Sequence, residues 1–185
     1  MASLSKAWLR KFTIYDLIVI ALLAASGIAV KSVIGPLVRL VTGPLFIPGG
    51  AIAGGIYMMF IVLAASVTKK PSAALLCGFV QAIMVLITGM GGHHGWLTLV
   101  SYSAPGLAIG VLMVIMRHRG CCRFCCFLAG IVANVTGTFI VQAAFFQLPA
   151  VPLVLALSSA ALSGGGGGIL AWSLTKQINL IFKGR

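Results

Sequence analysis

Apolar residues run along this chain in six long stretches, separated by short clusters of Gly, Pro, Lys, Arg and His. A helix needs about 20 apolar residues to cross a hydrocarbon core of ~30 Å. The pattern predicts an all-α membrane protein of six transmembrane helices, with spans near 13–33, 49–67, 72–90, 97–116, 124–146 and 153–175. The whole chain, 1–185, is then one integral membrane domain, with no room for a separate soluble one.

One interruption is unusual. Residues 34–47, running into Pro48, hold Pro36, Pro44, Gly35 and Gly43, which break helix, yet the stretch is apolar. Lipid cannot satisfy an unwound backbone, so such a segment must be buried in protein or line a cavity. A broken or re-entrant segment between helices 1 and 2 is expected, as a candidate lid.

Small and polar positions inside the spans give the next layer. Thr13 and Asp16 have the spacing of a helix cap. Ala21, Ala25 and Ala29 recur every fourth residue, a smooth face that another membrane helix approaches closely. Gly50 with Gly54, and Ala51 with Gly55, repeat that spacing in span 2. Gln81, Asn134, Thr136, Thr138 and Gln142 are polar within hydrocarbon and should face the bundle interior. Ala104-Pro105-Gly106 offers a kink in span 4. Gly164 to Gly168 reads as tight helix packing, or as a place where backbone nears a substrate.

Composition agrees: 61% hydrophobic, 8% charged and a mean hydropathy of +1.16, far from the balance of a soluble domain. Charge then adds orientation. Thirteen Lys and Arg stand against a single acid, Asp16. In a soluble protein such a balance suggests nucleic acid, but no aromatic-interleaved basic patch accompanies it, and no nucleic-acid partner is expected. With six spans, one side carries Lys6, Arg10, Lys11, Lys69, Lys70, Arg117, Arg119, Arg123, Lys176, Lys183 and Arg185. The other carries only Lys31 and Arg39. Basic loops stay cytoplasmic, so both termini are expected inside a prokaryotic-type plasma membrane. The outer face then holds the 34–48 segment, the 147–152 turn and the glycine-rich turn Gly89-Met90-Gly91-Gly92-His93-His94-Gly95-Trp96.

Cys121, Cys122, Cys125 and Cys126 crowd one basic loop on the inner side. Reduced thiols are expected there rather than a disulfide. If they hold a soft metal, Cys121 and Cys125 share one helical face, as do Cys122 and Cys126.

Six spans, fewer than 200 residues and the Ala21/Ala25/Ala29 face resemble the substrate-binding S component of an energy-coupling factor (ECF) transporter. The run Lys69-Lys70-Pro71-Ser72-Ala73-Ala74-Leu75 is similar to the thiamine and hydroxymethylpyrimidine subgroup. The resemblance implies an importer subunit for a vitamin or cofactor, with no enzyme activity of its own. Ala21, Ala25 and Ala29 would dock a transmembrane coupling subunit, and two cytoplasmic ATPases would supply energy. No G-x-x-x-x-G-K-[ST] phosphate loop occurs, in keeping with ATPases on separate chains.

The residues on the outer side point to a substrate. No acid lies there, while Lys31 and Arg39 favour an anion. His93 and His94 offer imidazole nitrogens, which ligate haem iron. Phe46, Trp96, Tyr102, Phe145 and Phe146 suit a flat apolar ring. Haem, as transported ligand rather than resident cofactor, is therefore the favoured substrate. Its binding residues would be His93, His94, Trp96, Tyr102, Lys31, Arg39 and Phe46. The alternatives are an S component for thiamine or its hydroxymethylpyrimidine precursor, or a non-transport structural membrane protein or channel; for His93 and His94 alone, the alternative is a plain polar turn at the membrane surface. Carboxylate pairs and Ser-His-Asp sets are absent, which disfavours an enzyme.

Overall fold

The computed structural model describes residues 12–42, 49–89, 95–116, 122–147 and 149–183. Six helices in it are long and apolar enough to cross a membrane. They are α1 (Ile14–Thr42), α2 (Gly49–Thr68), α3 (Pro71–Thr88), α4 (Leu97–Ile115), α5 (Arg123–Val141) and α6 (Ala150–Lys183). A π-helical turn, Gln142–Phe146, extends α5. Among the described residues there is no strand.

Four spans fall within a few residues of the predicted ones. The first does not. α1 continues unbroken through Gly35 and Pro36 to Thr42, so the expected break at 34–42 is absent. A proline removes one backbone hydrogen bond, whereas unwinding in hydrocarbon exposes several unsatisfied groups. The rest of the expected lid, 43–48, lies outside the described residues. α6 likewise outruns its prediction at both ends. Pro152 is tolerated because first-turn N–H groups have no helical partner in any case. α4 also runs through Pro105 as one helix.

α2 is the most enclosed helix, with Phe60 to Ser66 all buried. It packs against α1, α3, α5 and α6. Glycine makes the closest of these approaches. A Cβ on Gly55 or Gly167 would strike the facing backbone of α6 or α2, and one on Gly130 or Gly164 that of the other helix in the α5–α6 pair. Gly168 lies against the Cys126 carbonyl. Only Gly166 of the five-glycine run has open space around it. The run is thus a packing seam. Polar bonds stitch it: Asn134 Nδ2 donates to the Ala51 carbonyl at 3.1 Å and to the Ala160 carbonyl at 2.9 Å. The Gly55 N–H donates to Ser163 Oγ at 3.1 Å, and that hydroxyl donates to the Ile52 carbonyl. α3 and α4 close on each other in the same manner, through Gly78 against Tyr102 and Gly106 against Ala74.

The basic end is tied separately. Thr13 donates to Asp16 through both its N–H and its hydroxyl at 2.8 Å, the cap the spacing predicts. Lys70 adds an ion pair to the same oxygen at 2.5 Å. Lys70 is extended because Pro71 follows it, which aims its side chain away from α3 and towards α1. At α5 the structure corrects an expectation. Cys122 and Cys125 are joined as a disulfide, not left as reduced thiols. Cys122 precedes the helix in extended conformation, so it turns back over the first turn to meet Cys125 rather than aligning with Cys126.

Candidate functional site

The inward stripe of α1 is Ile20, Ala24, Gly27 and Ile28, and it leads to Lys31. Lys31 donates to the Tyr102 hydroxyl of α4. Its Nζ also stands 4.7 Å from the centre of the Tyr102 ring and 5.8 Å from that of Tyr57 on α2. Aromatic faces attract a cation, most strongly where water is scarce. Tyr102 is buried among Ile28, Ala82 and Val85, which fixes its ring from the α1 and α3 sides. One turn of α1 before Lys31, Gly27 leaves the gap that admits the Gln81 amide of α3. Lys31, Tyr57, Tyr102 and Gln81 therefore gather from four helices.

Besides Ser72 Oγ, several polar side-chain atoms are buried without a hydrogen-bond partner among the described residues. They are Gln81 Nε2, Thr98 Oγ1, Ser103 Oγ and both amide atoms of Gln142. Each such group costs about 1–3 kcal/mol unless something satisfies it. Gly137 of α5 lies beside Pro105 and Ser101 of α4, and the two helices run in opposite directions. The same register sets Gln142 at the level of Thr98, near the end of α4 that also carries Tyr102. The cluster itself brings together a cation and two phenols, with the Gln81 amide one turn of α1 away, while Thr98 and Gln142 are buried polar side chains on α4 and at the end of α5.

Of the seven predicted binding residues, the structure brings Lys31 and Tyr102 together. Trp96 stands at the start of α4, largely exposed and not in that cluster. Arg39 is carried on α1 about two turns beyond Lys31, with its side chain outside the described set. Phe46, His93 and His94 lie outside the described residues. The turn holding the two histidines is nonetheless framed by Gly89 and Gly95 with φ of 67° and 49°. Both are left-handed conformations that glycine adopts without penalty. Gln81, Gln142 and Thr98 are not among those seven, although a polar residue inside a span is itself a signal.

A separate groove of about 490 Å³ runs between α4 and α5, lined by Ala104, Leu107, Ala108, Val111, Val132 and Thr136. Leu107 and Val111 are exposed, so it opens on the lipid side rather than into the polar cluster. The predicted docking residues on α1 also face outward: Ala21 and Ala29 are exposed and Ala25 is half-buried.

Residues 15–136 match the sequence model of the ABC-type cobalt transport system, permease component. The chain belongs to that permease family. The permease has the fold of a solved protein described as an S-component of an ECF transporter, with a TM-score of 0.77 and 18% identity. The match covers 91% of the permease and 86% of the other chain. Among curated proteins no sequence matches the permease. The expected all-α S-component architecture is thus found, and the permease is a multi-pass membrane component of a transport system.

Proposed function

We propose that the permease is the substrate-binding S component of an ECF-type importer, and that Lys31 receives the acid group of an anionic organic cofactor. The observation that carries this reading is a half-buried lysine held against Tyr57 and Tyr102. The chain's one acid, Asp16, sits fifteen residues away on α1, about 22 Å, and is held by Lys70. A positive site favours an anion over cationic thiamine or a bare divalent ion such as cobalt. The unpartnered amides of Gln81 and Gln142 then orient the substrate by hydrogen bonds.

Within this class haem is the member to test first. Its propionates suit Lys31 and Arg39, and His93 or His94 would supply an axial nitrogen, with Phe46 and Trp96 against the ring. Adding hemin to the purified permease should shift its Soret band, and His93→Ala/His94→Ala should abolish the shift. An unchanged spectrum in the wild type removes haem. A second reading, a neutral hydroxymethylpyrimidine, draws support from the amides and hydroxyls just named, which match the donor and acceptor edge of such a ring. Calorimetric binding of that pyrimidine, unaffected by hemin, would favour it. The outward Ala21, Ala25 and Ala29 stripe is assigned to a transmembrane coupling subunit, with two ATPases on the cytoplasmic side. The basic ends of the helices support placing both termini there.

A further inference from the structure

The basic end of the bundle holds a chemical group that substrate binding does not use. Cys122 and Cys125 flank Arg123 and Phe124, giving Cys-x-x-Cys at the opening of α5. Their Cα atoms are 5.4 Å apart and their sulfurs are bonded. The Cys122 sulfur also accepts the Cys125 N–H at 3.2 Å. A first-turn N–H has no carbonyl partner in the helix, and the N-terminal end of a helix favours negative charge. The positive Arg123 side chain is the next residue in sequence. This geometry suits a cysteine whose sulfur is to carry charge and react. The two sulfurs also differ in access. Cys122 is half-buried, whereas Cys125 is buried behind it. One is placed to meet a reagent, the other to follow.

We infer that Cys122 and Cys125 form a reversible dithiol–disulfide centre that exchanges with low-molecular-weight disulfides of the glutathione class. In the reduced chain the Cys122 thiolate attacks one sulfur of the oxidant. The oxidant's S–S bond breaks, one thiolate leaves, and a mixed disulfide forms at Cys122. The Cys125 thiol then gives up its proton and attacks the Cys122 sulfur. The second thiolate departs as the internal disulfide closes. Two cysteine thiols have lost two electrons and two protons, and the oxidant has become two thiols. Excess thiol runs the exchange backwards.

The packing around the centre says what it reaches. Cys126, the next residue, is buried with its sulfur 3.6 Å from the Ser66 hydroxyl of α2. Its carbonyl lies against Gly168 of α6. The Arg123 guanidinium stands 5.9 Å from the Trp172 ring, also on α6. The turn that the sulfur pair closes is therefore packed on both α2 and α6. Cys77 is a separate buried thiol on α3.

The test uses the full-length purified permease, equilibrated in mixtures of reduced and oxidised glutathione. Samples are acid-quenched, denatured, alkylated with a maleimide-linked polymer and mapped by peptide mass. Two alkylation sites should vanish together as the oxidised fraction rises, map to Cys122 and Cys125, and return on reduction. Cys125→Ser should trap glutathione on Cys122, and Cys122→Ser should leave Cys125 alkylable throughout. Cys121→Ser, which removes the neighbouring thiol, should leave the paired behaviour intact. Each variant is first checked for a monodisperse peak in size-exclusion chromatography, and serine keeps the side chain nearly isosteric. Alkylation of both cysteines at every mixture overturns the inference. So does a protected pair that maps to Cys121.

Discussion

Lys70, the last residue before α3, donates to the carboxylate of Asp16 in the first turn of α1 at 2.5 Å. The same oxygen accepts the Thr13 N–H and hydroxyl. One acid thus caps a helix and ties two helices. Asp16→Ala removes both functions and leaves Lys70 beside the Phe12 ring, 5.3 Å away, without its carboxylate. It should cost about 1–3 kcal/mol, the range for stranding a partly buried polar partner. Asp16→Asn keeps an acceptor for Thr13 and should cost less. Thermal unfolding in one detergent compares them. An Asp16→Ala melt equal to wild type would mean that the tie contributes nothing.

At the other site, Lys31→Met removes the charge and keeps the length of the stem. A hydrogen bond to a charged group contributes about 1.5–3 kcal/mol, which corresponds to a loss of roughly 10- to 100-fold in affinity for an anionic ligand. Tyr102→Phe keeps the ring beneath the ammonium and deletes only the hydroxyl, so its loss should be smaller. Titration of the purified permease with hemin gives both values. Unchanged affinity in Lys31→Met would exclude the lysine as the anion contact.

The glycine seam makes a prediction that separates two neighbours. Gly167→Ala drives a methyl group into the Gly55 backbone of α2. Backbone cannot swing aside as a flexible side chain does, so the helices must part. The cost should reach at least the 1–3 kcal/mol typical of overpacking. Gly166→Ala, one residue earlier, meets nothing within 4 Å. It should be neutral, or stabilising by up to about 1 kcal/mol, because alanine loses less backbone freedom in a helix. Equal melting temperatures for the two would contradict the packing described.

How much of this was legible depends on the range of the interaction. Hydropathy set the limits of α2, α3, α4 and α5 to within a few residues, since all of these boundaries but the end of α5 coincide with a basic or glycine-rich cluster. The Thr13–Asp16 cap was legible because it is local. Pro36 misled, because a rule learned from water overstates what one proline does to a helix in lipid. Lys31, expected near an outer end, lies well inside α1 because that helix runs on to Thr42. Its bond to Tyr102 spans 71 positions, and no local pattern records it. The Cys122–Cys125 link was missed because helical periodicity pairs i with i+4, whereas Cys122 stands just outside the helix.

The outward face of α1 carries the last prediction. Ile20, Ala24, Gly27 and Ile28 turn inward, which leaves Ala21, Ala25 and Ala29 along an adjoining face that the bundle covers only in part, at Ala25. In lipid, apolar surface alone gives helices no reason to associate, so close approach along small side chains must supply the contact. Ala25→Leu adds bulk at the centre of this face and should hold a partner helix away. Ala25 is half-buried between the exposed Ala21 and Ala29, at the edge of the bundle and away from the Lys31 cluster, so the melting temperature should fall little and the affinity for ligand should stay near wild type. Co-purification with the coupling subunit should fall several-fold. Leu162→Phe, on an outward position of α6, controls for bulk added to a lipid-facing surface. If Ala25→Leu and Leu162→Phe assemble equally well, docking does not use the α1 face, whatever the fate of the substrate site.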